Sequence, residues 1–347
     1  METIIGLALV LTAGLGTGTM AWPIKKVKDL QFDQFLFVFM LVAVLLCPWI
    51  VTVLFVPDIA SVVRVAGFKT LIISNSLSVC WGVANVLYMV SIVRIGAALS
   101  GAILSALGMA VGVIMPMILK GSGLFNAAPD VFSRIGVVIL SGLVVIVAGI
   151  VLVILAGIGR EKVLKQGPDK KASATGSFMS GLLLIVPSGI LSAGLSLAFV
   201  YSQGPILSAV HEQGAGDLPA NFAVWALGLI GGGLVNVGWF SYIMTKKKTW
   251  SVLLKRKTEI AYGIVGGLQF ILSVVFMGKG MVLLGALGAS VGFGIQQSMQ
   301  VLGNQLIGFL GGEWKGIGGK PRRMMYAAII VILLAVVILA ISNVVSA

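Results

Sequence analysis

Apolar stretches of about eighteen residues or more recur along the whole of this 347-residue chain. Each is long enough to cross about 30 Å of hydrocarbon as a helix. The chain is 59% hydrophobic and only 10% charged, with a mean hydropathy of +1.10, outside the range of soluble domains. The pattern predicts an all-α integral membrane protein of ten transmembrane helices, at residues 3–22, 34–56, 69–92, 96–118, 135–157, 178–202, 220–244, 260–277, 282–309 and 325–345. Connections are short and hold most of the charge, which leaves no soluble domain. The first stretch starts Met1-Glu2 without a basic leader and is followed by "KKVK", the pattern of a retained anchor rather than a cleaved signal.

Charge sets the orientation. With the N-terminus outside, all but five of the 24 basic residues fall on inner loops, the exceptions being Arg64, Lys69, Lys120, Arg134 and Lys279. The positive-inside rule therefore predicts both termini outside. Basic loops beside anionic lipid of the bilayer account for the net charge of +13, and with no soluble domain there is nothing to bind nucleic acid. Cys47 and Cys80 both fall inside spans, as small buried side chains rather than a disulfide or metal pair.

The two halves of the chain echo each other. "RIGAALSGAILSALGMAVG" (94–112) and "LLGALGASVGFGIQQSMQVLG" (283–303) share a small-residue start and occupy the fourth span of each half. "GLGTGTMAWP" (14–23) and "GILSAGLSLA" (189–198) belong to the first. Five spans is an odd number, so two copies insert in opposite orientations, the inverted-repeat plan of many secondary transporters. The predicted units are 1–158 and 178–347, joined by a polar inner linker at 159–177. Small-xxx-small spacings at Gly14/Gly18, Gly108/Gly112, Gly228/Gly232, Gly263/Gly267 and Gly288/Gly292 predict close helix packing.

The polar residues inside the spans lie in stripes. In "GIQQSMQVLGNQ" (294–305), Gln296, Gln300, Asn304 and Gln297 project within about 100° of one another, Phe293 falls in the same sector, and Gln305 points elsewhere. An amide left in lipid costs several kcal/mol, so this face must meet protein or a watery cavity. Ser78, Trp81, Asn85 and Tyr88 form a stripe on the third span, and Ser188, Ser192, Ser196, Phe199 and Gln203 form one on the sixth. Gln269 and Ser273 sit one turn apart on the eighth, with Tyr262 two turns earlier. By depth, Trp81, Asn85, Ser188, Ser192, Gln269, Gln296 and Gln297 meet at one level.

Amides and hydroxyls both donate and accept hydrogen bonds, and an aromatic ring stacks on the apolar face of a sugar. This chemistry selects a small neutral polyol or sugar, with Asn85, Gln269, Gln296, Gln297 and Gln300 on its hydroxyls and Trp81 or Phe293 stacking. Tyr88, Ser188, Ser192 and Asn304 complete the candidate set. None of the eleven acidic residues lies at mid-span, and the single histidine, His211, falls in the outer loop between spans six and seven. The absence of clustered carboxylates, His or Cys argues against an enzyme or a metal centre. A proton-driven carrier ordinarily uses a buried ionisable relay.

Five stretches carry a family resemblance: "WPIKKVK" (22–28), "CWGVANVLYMVSIVRIG" (80–96), "GILSAGLSLAF" (189–199), "GGGLVNVGWF" (231–240) and "GGEWKGIGGKPRR" (311–323). In order and spacing the chain resembles, over essentially its whole length, the L-rhamnose–proton symporters of the drug/metabolite transporter superfamily. The resemblance implies a ten-helix bacterial inner-membrane carrier of two inverted repeats that imports a deoxyhexose with a proton and needs no cofactor. Members can carry acidic or His side chains along the ninth span, where this chain has Ser290, Gln296 and Gln297. The rival expectation keeps the fold and changes the cargo, to another sugar or an amphipathic metabolite, exported or moved without a proton. A cavity lined mainly by aromatics favours that rival.

Overall fold

The computed structural model describes residues 2–20, 22–95, 97–119, 129–166, 178–285, 291–312 and 314–345. Its helices are α1 (Glu2–Thr19), α2 (Phe32–Met40), α3 (Cys47–Phe55), α4 (Ile59–Ala66), α5 (Phe68–Ile95), α6 (Ala97–Ile118) and α7 (Arg134–Gln166). The second half contains α8 (Phe178–Ser192), α9 (Gly194–His211), α10 (Asp217–Ala223), α11 (Ile230–Lys247), α12 (Trp250–Lys255), α13 (Lys257–Leu283), α14 (Phe293–Leu310) and α15 (Gly319–Val345). Among the described residues seven helical stretches are long and apolar enough to cross a membrane, and α10 with α11, bent by 63°, adds an eighth. A shorter apolar helix, Ile103–Ile118, lies in the fourth predicted span. The amides of α14 dilute its apolar character in the ninth. The chain is a multi-pass membrane protein.

Several helices depart from the sequence expectation. Residues 34–56 form one span broken by a π-helical turn at Leu41–Leu46, where the Cys47 N–H reaches back to Val42 O. Pro48 follows directly. A proline ring crowds the carbonyl four residues before it, and one widened turn accommodates the ring without ending the helix. The ninth span, expected from 282, starts as a regular helix only at Phe293. Leu283 ends α13, and Gly285 takes φ +60°, a left-handed turn that glycine makes without steric cost. At the other end of the first half, α7 continues to Gln166, so residues 159–166 of the expected linker are the polar end of that helix. The rest of the linker, and Ser290, lie outside the described residues.

The seventh span is the sharpest break. A π-helical turn, Val224–Gly228, runs into Leu229 at φ −123°, ψ 9°. A broken helix exposes backbone groups that hydrocarbon cannot satisfy, so a neighbour must. Two α5 side chains do so. Asn75 Nδ2 donates to Leu227 O at 2.8 Å, and its Oδ1 accepts from Gly231 N at 2.9 Å. Ser78 Oγ donates to Leu229 O at 2.8 Å and accepts from Gly232 N at 2.9 Å.

Packing follows the glycines. The α1 helix lies between α13 and α14, α8 packs on α5 and α6, and α7 pairs along its length with α15. A side chain at Gly14 or Gly18 would strike the α14 backbone at Gln296 or Gln300, and Gly18 faces Gly303 across that seam. Likewise Gly108 seats Ser192, Gly263 and Gly267 seat α2, and Gly228 seats Ser202. Small residues let backbones approach where lipid gives no hydrophobic drive. Ion pairs mark the span ends: Lys247–Asp33 at 3.2 Å and Arg256–Asp29 at 2.9 Å at one end, His211–Asp217 and Lys279–Asp217 at 3.1 Å at the other.

Candidate transport core

The predicted polar residues fall into two groups. The first forms where α1 is wedged against α13 and α14. Gln296, buried, donates through Nε2 to Thr17 Oγ1 at 2.9 Å and to Gln300 Oε1 at 3.3 Å. Thr17 is itself buried and donates to the carbonyls of Ala13 and Gly14, both at 3.0 Å. Gln269 of α13 reaches the same helix from the other side. Its Nε2 donates to Gly16 O and Thr19 Oγ1, each at 2.9 Å, and its Oε1 accepts from Trp22 Nε1 at 2.8 Å. The two amide ends of Gln269 are therefore committed, one to the last turn of α1 and the other to the 3-10 turn that follows it at Trp22–Lys26.

The second group joins α5, α8 and α11. Asn85 Nδ2 donates to Asn236 Oδ1 at 3.2 Å, and Asn236 Nδ2 donates to Gly232 O at 2.8 Å. Ser188 Oγ bridges to Ala84 O of α5 at 2.7 Å, while Ser192 Oγ turns back to Gly189 O of its own helix. Trp81 is buried and sets its ring edge-to-face on Trp225 at 6.4 Å. Phe293 is buried beside Gly112, where any side chain would meet its ring. Tyr88 is partly buried, with its hydroxyl near Gly101.

The structure thus joins Gln296 to Gln300 and Asn85 to α11, and among the described residues no hydrogen bond links the two groups. Gln297 is half-buried and Asn304 exposed; neither makes a hydrogen bond among the described residues, and Gln305 is half-buried. His211, expected to be a solvated loop residue, closes α9 and faces Asp217. Cys47 and Cys80 are free thiols, each half-buried.

Sequence reasoning missed Thr17, Asn236 and Trp225. Thr17 sits in the "GLGTGTMAWP" stretch and Asn236 in "GGGLVNVGWF", stretches read for their small residues and their family resemblance rather than for a polar stripe. Trp225 belongs to the π-helical turn, where the regular 100° step fails. Among the described residues, no group of three or more His, Cys, Asp or Glu is placed to hold a metal ion.

Tightly seated, broken and polar-cored membrane helices of this kind define a multi-pass carrier. The chain belongs to the family described as L-rhamnose-proton symport protein (RhaT), which matches residues 2–345. It is 26% identical over 322 residues to an L-rhamnose-proton symporter of Pectobacterium atrosepticum, covering 90% of each chain. It is 27% identical over 320 residues to one of Klebsiella pneumoniae and 26% identical over 320 residues to one of Salmonella gallinarum, again over 90% of each chain. The family is one of transporters, not enzymes, and symport by such a protein calls for no cofactor.

Proposed function

We propose that this chain imports a small neutral deoxyhexose, L-rhamnose first among them, together with a proton, by alternating access across the bacterial inner membrane. The observation that carries the reading is the uncharged polar core. Gln296, Gln300 and Thr17 face one another across the α1–α14 seam, and Asn85 with Asn236 bridges α5 and α11. Amides and hydroxyls match sugar hydroxyls, which need both donors and acceptors. The full-length family match supplies the substrate and the coupling ion. On this reading Trp81, Asn85, Tyr88, Ser188, Ser192, Gln269, Phe293, Gln296, Gln297, Gln300 and Asn304 line the path, with Gln269 also fixing the end of α1.

The architecture we propose is ten spans in two inverted repeats, 1–158 and 178–347, joined by a cytoplasmic stretch at 159–177 that begins with the polar end of α7, and with both termini outside. The packing supports it. α1, first of its half, packs on α13 and α14 of the other; α8, which opens the second half, packs on α5 and α6 of the first. The last long helices of the halves, α7 and α15, pair with each other. This exchange is what inverted repeats around a midplane site produce.

The test is counterflow: proteoliposomes preloaded with unlabelled L-rhamnose should take up labelled L-rhamnose, and empty vesicles should not. A full-length reconstituted protein that exchanges no deoxyhexose contradicts the reading. A second reading, a carrier of a more amphipathic metabolite, is favoured by the aromatic cluster of Trp81, Phe199, Trp225 and Phe270. It predicts that such a metabolite, and not L-rhamnose, drives exchange.

A further inference from the structure

Two polar atoms on the broken seventh span are buried with no hydrogen-bond partner among the described residues: Asn221 Oδ1 and Trp225 Nε1. The residues are 3% and 1% exposed. Asn221 uses only its amide nitrogen, which donates to Asp217 O at 2.9 Å. The two side chains lie four residues apart and share a neighbour. The Phe199 ring lies 6.2 Å from the Trp225 ring, and the same Phe199 and Asn221 Oδ1 both abut Gly278. Trp81 and Phe270 stand edge-on to Trp225 at 6.4 and 6.1 Å. An unpaired acceptor and an unpaired donor therefore lie about one turn apart on the same span, both beside Phe199.

Buried polar groups are ordinarily paired, and an unpaired one calls for an explanation. The span that carries them is broken. Val224–Gly228 is a π-helical turn and the bend beyond it is 63°, and breaks of this type cluster at functional sites. Resting on the proposed sugar-transport reading, we propose that Asn221 and Trp225 form a sugar subsite, shut in this conformation and opened when the half-helix Asp217–Gly228 swings on its hinge at Leu229. A sugar hydroxyl accepts from the indole N–H and donates to the amide oxygen. The C–H face and methyl of a deoxyhexose pack on the surrounding rings.

The experiment compares Trp225→Phe, Asn221→Leu and the wild-type full chain in lipid nanodiscs and proteoliposomes, with L-rhamnose as probe. Asn221→Leu removes the unpaired oxygen together with the bond to Asp217 O, and Trp225→Phe removes the indole N–H together with part of a buried ring. Both should therefore melt somewhat lower without sugar, and the sugar-induced shift is the readout. The subsite predicts that both lose the rhamnose-induced rise in melting temperature, and that half-saturating rhamnose in counterflow rises at least about tenfold. Should one variant fail to fold, the other decides. Wild-type half-saturation in a folded variant overturns the subsite and leaves the pair a structural feature, while the transport reading stands. A wild-type protein that neither shifts nor exchanges with any deoxyhexose overturns both.

Discussion

Gln296 donates its Nε2 to Thr17 Oγ1 at 2.9 Å across the seam of α14 and α1, and both residues are buried. Interhelical bonds between such groups in membranes contribute about 1 kcal/mol, so this bond is a weak glue and a good hand-hold for a hydroxyl. Gln296→Leu should lower stability by about 1 kcal/mol. Adding Thr17→Val removes the buried hydroxyl that has lost its donor and should recover part of that loss, because replacing both members of a buried pair is nearly neutral. Rhamnose counterflow should stay depressed in the double variant, roughly tenfold or more if a sugar hydroxyl binds there. Thermal melting and counterflow on the same preparations separate the two effects.

Asn75 holds the broken seventh span by bonding Leu227 O and Gly231 N at 2.8 and 2.9 Å. Asn75→Ala should cost about 1–3 kcal/mol for each backbone group left unpaired in the bundle. The measurement is the melting temperature in detergent, where Asn75→Ala should fall well below Ser76→Ala. Ser76 is exposed and bonds only to Ile72 O of its own helix.

Gly18 and Gly303 meet backbone to backbone, and a side chain on Gly18 would strike Gln300 O. Gly18→Val should destabilise by about 1–3 kcal/mol or more, the range for overpacking, and should abolish exchange by prising α1 from α14. Gly238→Ala is the control, since nothing lies within 4 Å of a methyl there. It should leave melting and exchange unchanged.

The His211–Asp217–Lys279 cluster predicts the opposite of a hot spot. Its side chains are 44%, 56% and 46% exposed, and ion pairs of that exposure contribute about 0–1 kcal/mol. His211→Gln and Asp217→Asn should each shift melting slightly, and His211→Gln should leave the pH dependence of rhamnose uptake unchanged. A flattened pH profile in His211→Gln would make the histidine part of proton coupling.

Much of this was legible in the residues. The third-span stripe of Ser78, Trp81 and Asn85 faces protein in the structure, because a regular helix carries the 100° step faithfully and polar groups must turn from lipid. The Gly14/Gly18 spacing likewise marks the seam of α1 with α14. Three things were hidden. The π-helical turn at Val224–Gly228 rests on side chains of another helix, which no local pattern contains, whereas Pro48 signals a distortion near Leu41–Leu46 without saying that the helix runs on through it. Gln269 has the same hydrogen-bonding repertoire whether it meets a sugar or the end of α1, so its position on a stripe could not reveal its bonds to Gly16, Thr19 and Trp22. Asn236 and Thr17 gain their meaning only from partners distant in sequence.

The most direct test of coupled sugar transport is lumenal pH in proteoliposomes loaded with a pH-sensitive dye, with the membrane potential clamped at zero. Adding L-rhamnose outside should acidify the lumen at a rate that saturates with sugar, and a protonophore should abolish the signal. Vesicles holding folded protein whose lumenal pH does not respond to L-rhamnose would contradict the account.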